Sequence, residues 1–516
     1  MFLQLLQRNA DYHPNDIAIV YGDESITHAE MLDRVEHVAG GLTAMGISAG
    51  DKVALLLENS PEFIISFFAV AACRAVNVPL NIEFKEDEVK FYLTDADVKC
   101  VIADGQRMKT ASGAASSVAH DVSLISTNPV AQNATPFHEL LAAEKRSTAA
   151  NSSLDDDIIY IYSSGSTGRP KCAPRTVVQY WWEMDDVVKC LDLGRSDTIF
   201  CVLPLFHNWG AVQCMLTAAG SGAKLVIFKN PNPFVLRRQS ALKQLESEGV
   251  TIFPAVPFIF EHLVECSKTA DLSNIRICYT GGAAASADMA EAFQEKFGIP
   301  LRGHYGCTEV GAMTIDLDPI PSQLGKSVGK PLPGVQVQIL DDEGQPLPPN
   351  EKGEVVVRSR AMTRGYLGLD ELNQQAFRGD RFYTGDLGSL DEDGRLFLLG
   401  RKKFVIDVVG HKVDPFEVED VLAEHELVQD SVVIGVPNEV GDGDMVKAYV
   451  LARPGCDDRE LMAFCRERLA NFKSPQSIDF ISELPKNHLG KLIRKREVLD
   501  QYVCSDDTTQ ALAGGL

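Results

Sequence analysis

The sequence predicts an α/β protein: a large N-terminal domain of layered α/β sheets that includes a small β-barrel-like subregion, followed by a small, mobile α+β C-terminal domain. With 516 residues, 45% of them hydrophobic, the chain exceeds what one core normally supports, so a large body plus a further domain is expected. Short apolar runs alternate with helix-length segments up to about Gly325, the rhythm of parallel strands joined by helices. Beyond that point the pattern changes to alternating strands, and the charged triplet Arg401, Lys402 and Lys403 then precedes a compact run to about Tyr502. The domains are accordingly placed at 1–402 and 403–504, with 505–516 a frayed tail.

The opening MFLQLLQRNADYHPND reads as an amphipathic helix. Residues 51–58 (DKVALLLE) read as a strand, 61–76 as a helix and 99–103 as a strand. The Ala/Ser/Thr-rich stretches 109–120 and 146–157 read as surface connections. The run Ile158, Ile159, Tyr160, Ile161 reads as a buried strand, and 224–228, 251–254 and 276–280 continue the series with helices between. In the barrel-like part, 335–340 and 354–358 are strands separated by Asp-Glu-Gly and Pro-Pro-Asn turns, and 394–399 closes it.

Against 49 basic residues stand 72 acidic ones, a formal charge of -23, which argues against a nucleic-acid or anionic-membrane surface and requires any polyanion to meet a local basic pocket. The N-terminus lacks the basic start and long apolar core of a signal peptide, and the most apolar stretch, 63–73, is far short of a bilayer span. Secretion and membrane insertion are therefore not expected, and a cytoplasmic location is. Twelve cysteines without a CxxC pair read as mostly buried, reduced thiols. There is no HExxH and no GxSxG, so zinc-protease and serine-hydrolase chemistry has no local support.

One loop concentrates donors for phosphate. In YSSGSTGRPK, 162–171, Gly165 and Gly168 let backbone amides turn toward an anion, Ser163, Ser164, Ser166 and Thr167 add hydroxyls, and Lys171 adds a mobile cation. A solvated turn has the same composition. It is not a Walker loop, because the Gly-Lys pair required after four intervening residues is missing there, and Gly325-Lys326, Gly329-Lys330 and Gly490-Lys491 lack the needed upstream glycine.

Further strings follow in order: PLFHNWG at 204–210, HYGCTE at 304–309, YTGDLG at 383–388, GRKKFVIDVVGHKVDPFEVE from Gly400, and PKNHLGK ending at Lys491. With the phosphate loop they resemble the adenylate-forming superfamily of acyl-CoA synthetases, aryl-CoA ligases, stand-alone adenylation enzymes and beetle luciferases, over nearly the whole chain. The resemblance implies that a carboxylate is activated with magnesium-ATP to an acyl adenylate and pyrophosphate, and that the acyl group then passes to a thiol, with ATP, magnesium and CoA as the small molecules required.

The same resemblance implies the site. Glu309 would bind magnesium, Thr308 would contact the α-phosphate, and Lys491 would bridge carboxylate and phosphate oxygens, which offsets the repulsion of two anions brought into line. Tyr305 and Gly306 would lie against adenine, with Gly281, Gly282 and Ala283 at the base edge, and Asp386 would accept from the ribose hydroxyls, assisted by Arg401. His207 would be a catalytic gate between the acyl pocket and the thiol tunnel, where amino-acid-activating domains carry an aspartate; a structural histidine bonded to backbone is the other reading. The acyl pocket would be formed by Phe206, His207, Trp209, Val256, Ala284 and His304. Lys403 would be a hinge about which the small domain rotates, withdrawing Lys491 and bringing Gly410 and His411 to the thiol tunnel. Asp407 and Phe404 depart from the usual pattern, and Cys307 occupies its variable position.

CoA is the expected acceptor, and a carrier-protein phosphopantetheine is the closest rival, mildly disfavoured by the acidic balance. A nucleotide-binding protein without turnover is a third reading, against which Lys491, Glu309 and Asp386 argue; an oxidative, luciferase-type second step is a fourth. The substrate is expected to be a small carboxylic acid, aromatic or short-to-medium aliphatic, and the protein a monomer or homodimer.

Overall fold

The computed structural model describes residues 1–128, 133–146, 153–163, 170–229, 231, 233–282, 285–318, 327–402, 406–408, 411–413, 415–437, 444–469, 471–486 and 492–504. Two large sheets form the body. The first has seven strands in the order Thr135–Pro136, Ser123–Ser126, Val98–Ala103, Lys52–Leu56, Val76–Pro79, Asp157–Ser163, Lys171–Thr176. Its pairings are parallel except the last, an antiparallel hairpin that sets Ser163 opposite Lys171. The second has nine strands, with a parallel centre of Leu301–Cys307, Ile277–Thr280, Ile252–Ala255, Thr198–Cys201, Lys224–Ile227 and Ile17–Tyr21. Strands buried on both faces explain why these segments read as continuous apolar runs.

A five-stranded sheet built on Val335–Leu340, Gly353–Ser359, Arg381–Leu390 and Phe377–Arg378, with Leu396–Arg401 paired to Arg381–Leu390, forms the expected barrel-like subregion. Farther along, Val428–Pro437, Asp444–Ala452 and Ser477–Phe480 make a three-stranded sheet, with the helices Pro415–Ala423 and Asp458–Arg468 completing an α+β part. The α/β class is as the sequence predicts. By contact density the chain divides into Met1–Val337, Val357–Tyr383 and Gly394–Leu396 as one unit, and Gln338–Val356, Thr384–Asp393 and Phe397–Leu516 as a second.

Helix starts follow from capping. Thr176 caps the helix Val177–Cys190: its hydroxyl accepts from the Gln179 amide at 3.4 Å, while the Gln179 side chain accepts from the Thr176 amide at 2.9 Å. Two sequence expectations need correction. The helix from Pro61 ends at Ala72 rather than Val76, because Arg74 sits at φ 58 and turns the chain into the strand Val76–Pro79. The stretch 109–120 is mostly helix, Met108–Ser116, whose Met108, Ala111 and Ala114 pack into the core; small residues hide an amphipathic face that composition alone reads as a connection. Of the stretch 146–157, residues 147–152 lie outside the described ones. Nine of the twelve cysteines are buried and all are free thiols. Among the described residues no helix is long and apolar enough to cross a membrane.

The site residues come from the carboxyl ends of parallel strands, where open α/β sheets bind ligands. Phe206 and His207 follow the strand Thr198–Cys201, Val256 follows Ile252–Ala255, Gly281 and Gly282 follow Ile277–Thr280, and Thr308 follows Leu301–Cys307.

Candidate active site

In the first unit the structure brings Ser163, Lys171 and Glu309 together around Tyr366. The Glu309 carboxylate is 8% exposed. Its Oε1 accepts from the Tyr366 hydroxyl at 2.7 Å and from Ser163 Oγ at 3.4 Å. Lys171 Nζ lies 5.3 Å from the centre of the Tyr366 ring. The segment carrying Tyr366 is stitched down by its backbone: Thr363 N–H donates to the Glu309 carbonyl at 2.8 Å, and Leu367 N–H donates to the Cys172 carbonyl at 2.9 Å. Of the rest of the phosphate loop, Ser164, Gly165, Ser166, Thr167 and Gly168 lie outside the described residues.

Behind Thr308 lies a buried ion pair that sequence reasoning missed. Arg175 Nη2 donates to Glu183 at 2.9 Å, the two side chains being 0% and 1% exposed. Arg175 Nη1 donates to the Thr308 carbonyl at 3.3 Å, while the other Glu183 oxygen accepts from Asn208 Nδ2 at 3.1 Å and from the Ala312 amide at 3.0 Å. Burial pushes the Glu183 carboxyl above its ordinary range, and the Arg175 guanidinium opposes that shift. Gly311 leaves room for the carboxylate: it sits at φ +89, and a Cβ there would lie 2.1 Å from the Glu183 carboxyl carbon. A signal existed in the sequence, since Glu183 falls on the same helix face as Tyr180, Met184 and Val187, which are buried.

Several expected acyl-pocket residues also converge. The Trp209 and His304 rings stack at 5.4 Å with an interplanar angle of 18°. A Cβ on Gly282, at φ +79, would touch the Trp209 ring at 3.7 Å and Val256 at 3.9 Å. One on Gly281 would meet the His304 carbonyl at 2.7 Å, so a side chain there is excluded by the His304 backbone. His304 Nδ1 donates to the Thr314 carbonyl at 2.8 Å, and burial lowers its pKa to about 4, so the ring is neutral at physiological pH. Phe206 packs against His207 at 4.7 Å between ring centres, and the His207 backbone N–H donates to the Pro204 carbonyl at 3.1 Å. Tyr305 is 8% exposed in its strand, where it pairs with Thr314, and Gly306 next to it is exposed. Ala283 and Ala284 lie outside the described residues.

In the second unit Arg401 Nε donates to Asp386 at 2.7 Å, an ion pair between two residues expected at the ribose. Lys491, Lys403 and Gly410 lie outside the described residues, and of His411 only the backbone is described, in the strand His411–Val413. The chain immediately beyond Lys491 is anchored. Arg494 Nη2 donates to Glu419 Oε2 at 2.6 Å, its Nη1 donates to the Val433 carbonyl at 3.1 Å, and its guanidinium lies 4.3 Å from the centre of the Phe416 ring.

Two family models match: "AMP-binding enzyme" over residues 6–367 and "AMP-binding enzyme C-terminal domain" over 417–491. The chain belongs to the AMP-binding enzyme family. A 2-succinylbenzoate–CoA ligase of Geobacillus kaustophilus is 34% identical, over 95% of this chain and 96% of the relative. An oxalate–CoA ligase of Arabidopsis thaliana is 31% identical, over 95% of this chain and 96% of the relative. The solved structure of an anthranilate CoA ligase with anthranoyl-AMP superposes with a TM-score of 0.85 at 26% identity, covering 97% of each chain. This AMP-binding enzyme is an AMP-forming acid–thiol ligase.

Proposed function

We propose that this enzyme joins a small carboxylic acid to CoA through an acyl adenylate. In the first step a carboxylate oxygen bonds to the α-phosphorus of ATP as the bond to the β-phosphate breaks, releasing pyrophosphate. In the second the CoA sulfur bonds to the acyl carbon, AMP departs with the acyl oxygen, and the thiol proton passes to solvent. The observation that carries this reading is the convergence of Ser163, Lys171 and Glu309 on Tyr366: a hydroxyl, a cation and a buried carboxylate at the mouth of the phosphate loop.

The assigned roles follow. Lys171 and the loop hydroxyls hold the phosphates, and Thr308 contacts the α-phosphate. Tyr305 and Gly306, with Gly281, Gly282 and Ala283, hold the base, and Asp386 with Arg401 holds the ribose. Lys491 supplies the cation that draws carboxylate and phosphate together. The two steps place opposed demands on that lysine, so the part carrying it turns about Lys403 between them, bringing Gly410 and His411 to the thiol while His207 gates the acyl side.

Glu309 fits a magnesium ion: it is a hard oxygen ligand, held in place by Tyr366, beside the phosphate loop. Among the described residues no cluster of three or more His, Cys, Asp or Glu stands ready to hold a metal, as suits an ion shared with substrate phosphates. When bound it neutralises charge on the phosphoryl oxygens. CoA is favoured over a carrier protein because relatives covering 95% of this chain are CoA ligases.

The test is AMP release from ATP by the full chain across a panel of carboxylic acids, with and without CoA. AMP release that rises with CoA for at least one acid is expected. Release that needs an acyl carrier protein, or that occurs with no acid, would contradict the reading.

A further inference from the structure

Two residues at the acyl end of the site, Trp209 and Gln213, carry buried N–H groups. The segment Asn208–Gly210 continues into a π-helix, Ala211–Leu216, a rare form that concentrates at functional sites. Trp209 and Gln213, four residues apart, share one face of it. Gln213 is 1% exposed, and its Oε1 accepts from the Tyr279 hydroxyl at 2.8 Å. That bond fixes the amide orientation and leaves Nε2 as a buried donor. Burial pushes the Tyr279 hydroxyl well above its usual range, so it stays protonated and keeps donating.

The buried side-chain atoms without a partner among the described residues include Gln213 Nε2 and Trp209 Nε1, both donors. Both belong to the acyl cluster, because Tyr279 packs edge-on against His304 at 5.9 Å and His304 stacks on Trp209. An unpaired buried donor costs about 1–3 kcal/mol, and such groups in native proteins are normally satisfied by something. Charge narrows the choice. Trp209, Gln213, Val256, Tyr279 and Gly282 are uncharged, and His304, whose pKa lies at about 4, is neutral. Among the described residues of this cluster no carboxylate would receive a substrate ammonium, and no cation would receive a second carboxylate.

Resting on the acid–thiol ligase reading, we infer that the acid carries an uncharged hydrogen-bond acceptor, such as a hydroxyl, methoxy or keto oxygen, which takes the Gln213 Nε2–H and Trp209 Nε1–H.

Matched acids test it with the full chain: benzoate and cinnamate against their hydroxy and methoxy isomers, and hexanoate against oxohexanoates, by ATP- and CoA-dependent AMP release. The best acceptor-bearing acid is expected to exceed its hydrocarbon parent by about tenfold or more in kcat/KM, the penalty for leaving a donor set unpaired. Gln213→Leu should bring that ratio close to one, and Trp209→Phe, a second and milder change, should lower it. Parent acids turned over as well as their substituted partners by the unaltered chain would overturn the inference, the amide then being satisfied by buried water, while leaving the ligase reading intact. An unchanged ratio in the folded Gln213→Leu variant would overturn it too. AMP release with none of the acids would bring down the ligase reading and this inference with it.

Discussion

Two arginine–glutamate pairs hold functional segments in this chain, one in each unit, and they are built differently. Arg175–Glu183 is sealed, its side chains 0% and 1% exposed, whereas Arg494–Glu419 keeps 8% and 13%. The first ties together the strand Lys171–Thr176, the helix Val177–Cys190, the Asn208 loop and the Thr308 turn. The second ties the helix Pro415–Ala423 and the strand Val428–Pro437 to the segment just beyond Lys491. Burial raises both glutamates, so neither pair is a cheap surface contact. The lesson is one of reach. The inner pair contacts residues next to those proposed for nucleotide and acid alike, and the outer pair holds the segment that follows Lys491, proposed to act in one step only.

Removing an inner partner should have the largest effect. Glu183→Ala strands a buried guanidinium, and the first unit should lose about 3–5 kcal/mol in urea unfolding. Both half-reactions should fall together. A loss below about 1 kcal/mol would deny the pair its role.

A pH series separates that pair from the buried histidine beside the acyl cluster. His304 titrates at about 4 when folded and at 6.5 in the unfolded chain, so the unfolded state takes up the proton first. Its contribution is complete above about pH 6.5 and is lost progressively as pH falls toward 4, up to about 3 kcal/mol. The difference in unfolding free energy between the unaltered chain and His304→Phe should therefore change with pH inside that window and be flat above it; no change would contradict the burial argument.

The outer pair should cost less. Glu419→Ala is expected to lower the stability of the second unit by about 2–3 kcal/mol, the worth of charge-assisted hydrogen bonds. Acyl adenylate formation should slow by about tenfold, while thioester formation from supplied acyl adenylate should hardly change. Equal loss of both steps would erase the contrast between the pairs. The smallest effect is expected for Tyr366→Phe, which removes one donor from Glu309, about 1 kcal/mol. It should raise the magnesium concentration needed for half-maximal AMP release several-fold, and an unaltered requirement would count against Glu309 as the ligand.

Much of this was legible in the sequence. The apolar run Ile158, Ile159, Tyr160, Ile161 gave a strand, because burial on both faces writes itself as continuous hydrophobicity. Trp209, Val256 and His304 were expected together from motifs that resemble the family, and the structure sets Trp209 against His304 and both Trp209 and Val256 beside Gly282. The supporting residues were not legible. Tyr366 reaches Glu309 across 57 positions and Tyr279 reaches Gln213 across 66, and no local pattern encodes a partner chosen by the fold. Arg175 and Glu183 are eight apart, yet their pairing depends on a strand-to-helix turn that composition does not specify. The helix Met108–Ser116 was missed because its buried face is one methionine and two alanines, which composition does not mark as hydrophobic.

The most direct test measures the two half-reactions separately in Lys491→Ala: carboxylate-dependent exchange of pyrophosphate into ATP, and thioester formation from CoA and a supplied acyl adenylate. The account predicts that exchange, present in the unaltered chain, disappears while thioester formation persists. Exchange that survives the substitution, or an unaltered chain that exchanges pyrophosphate with no carboxylic acid, would contradict it.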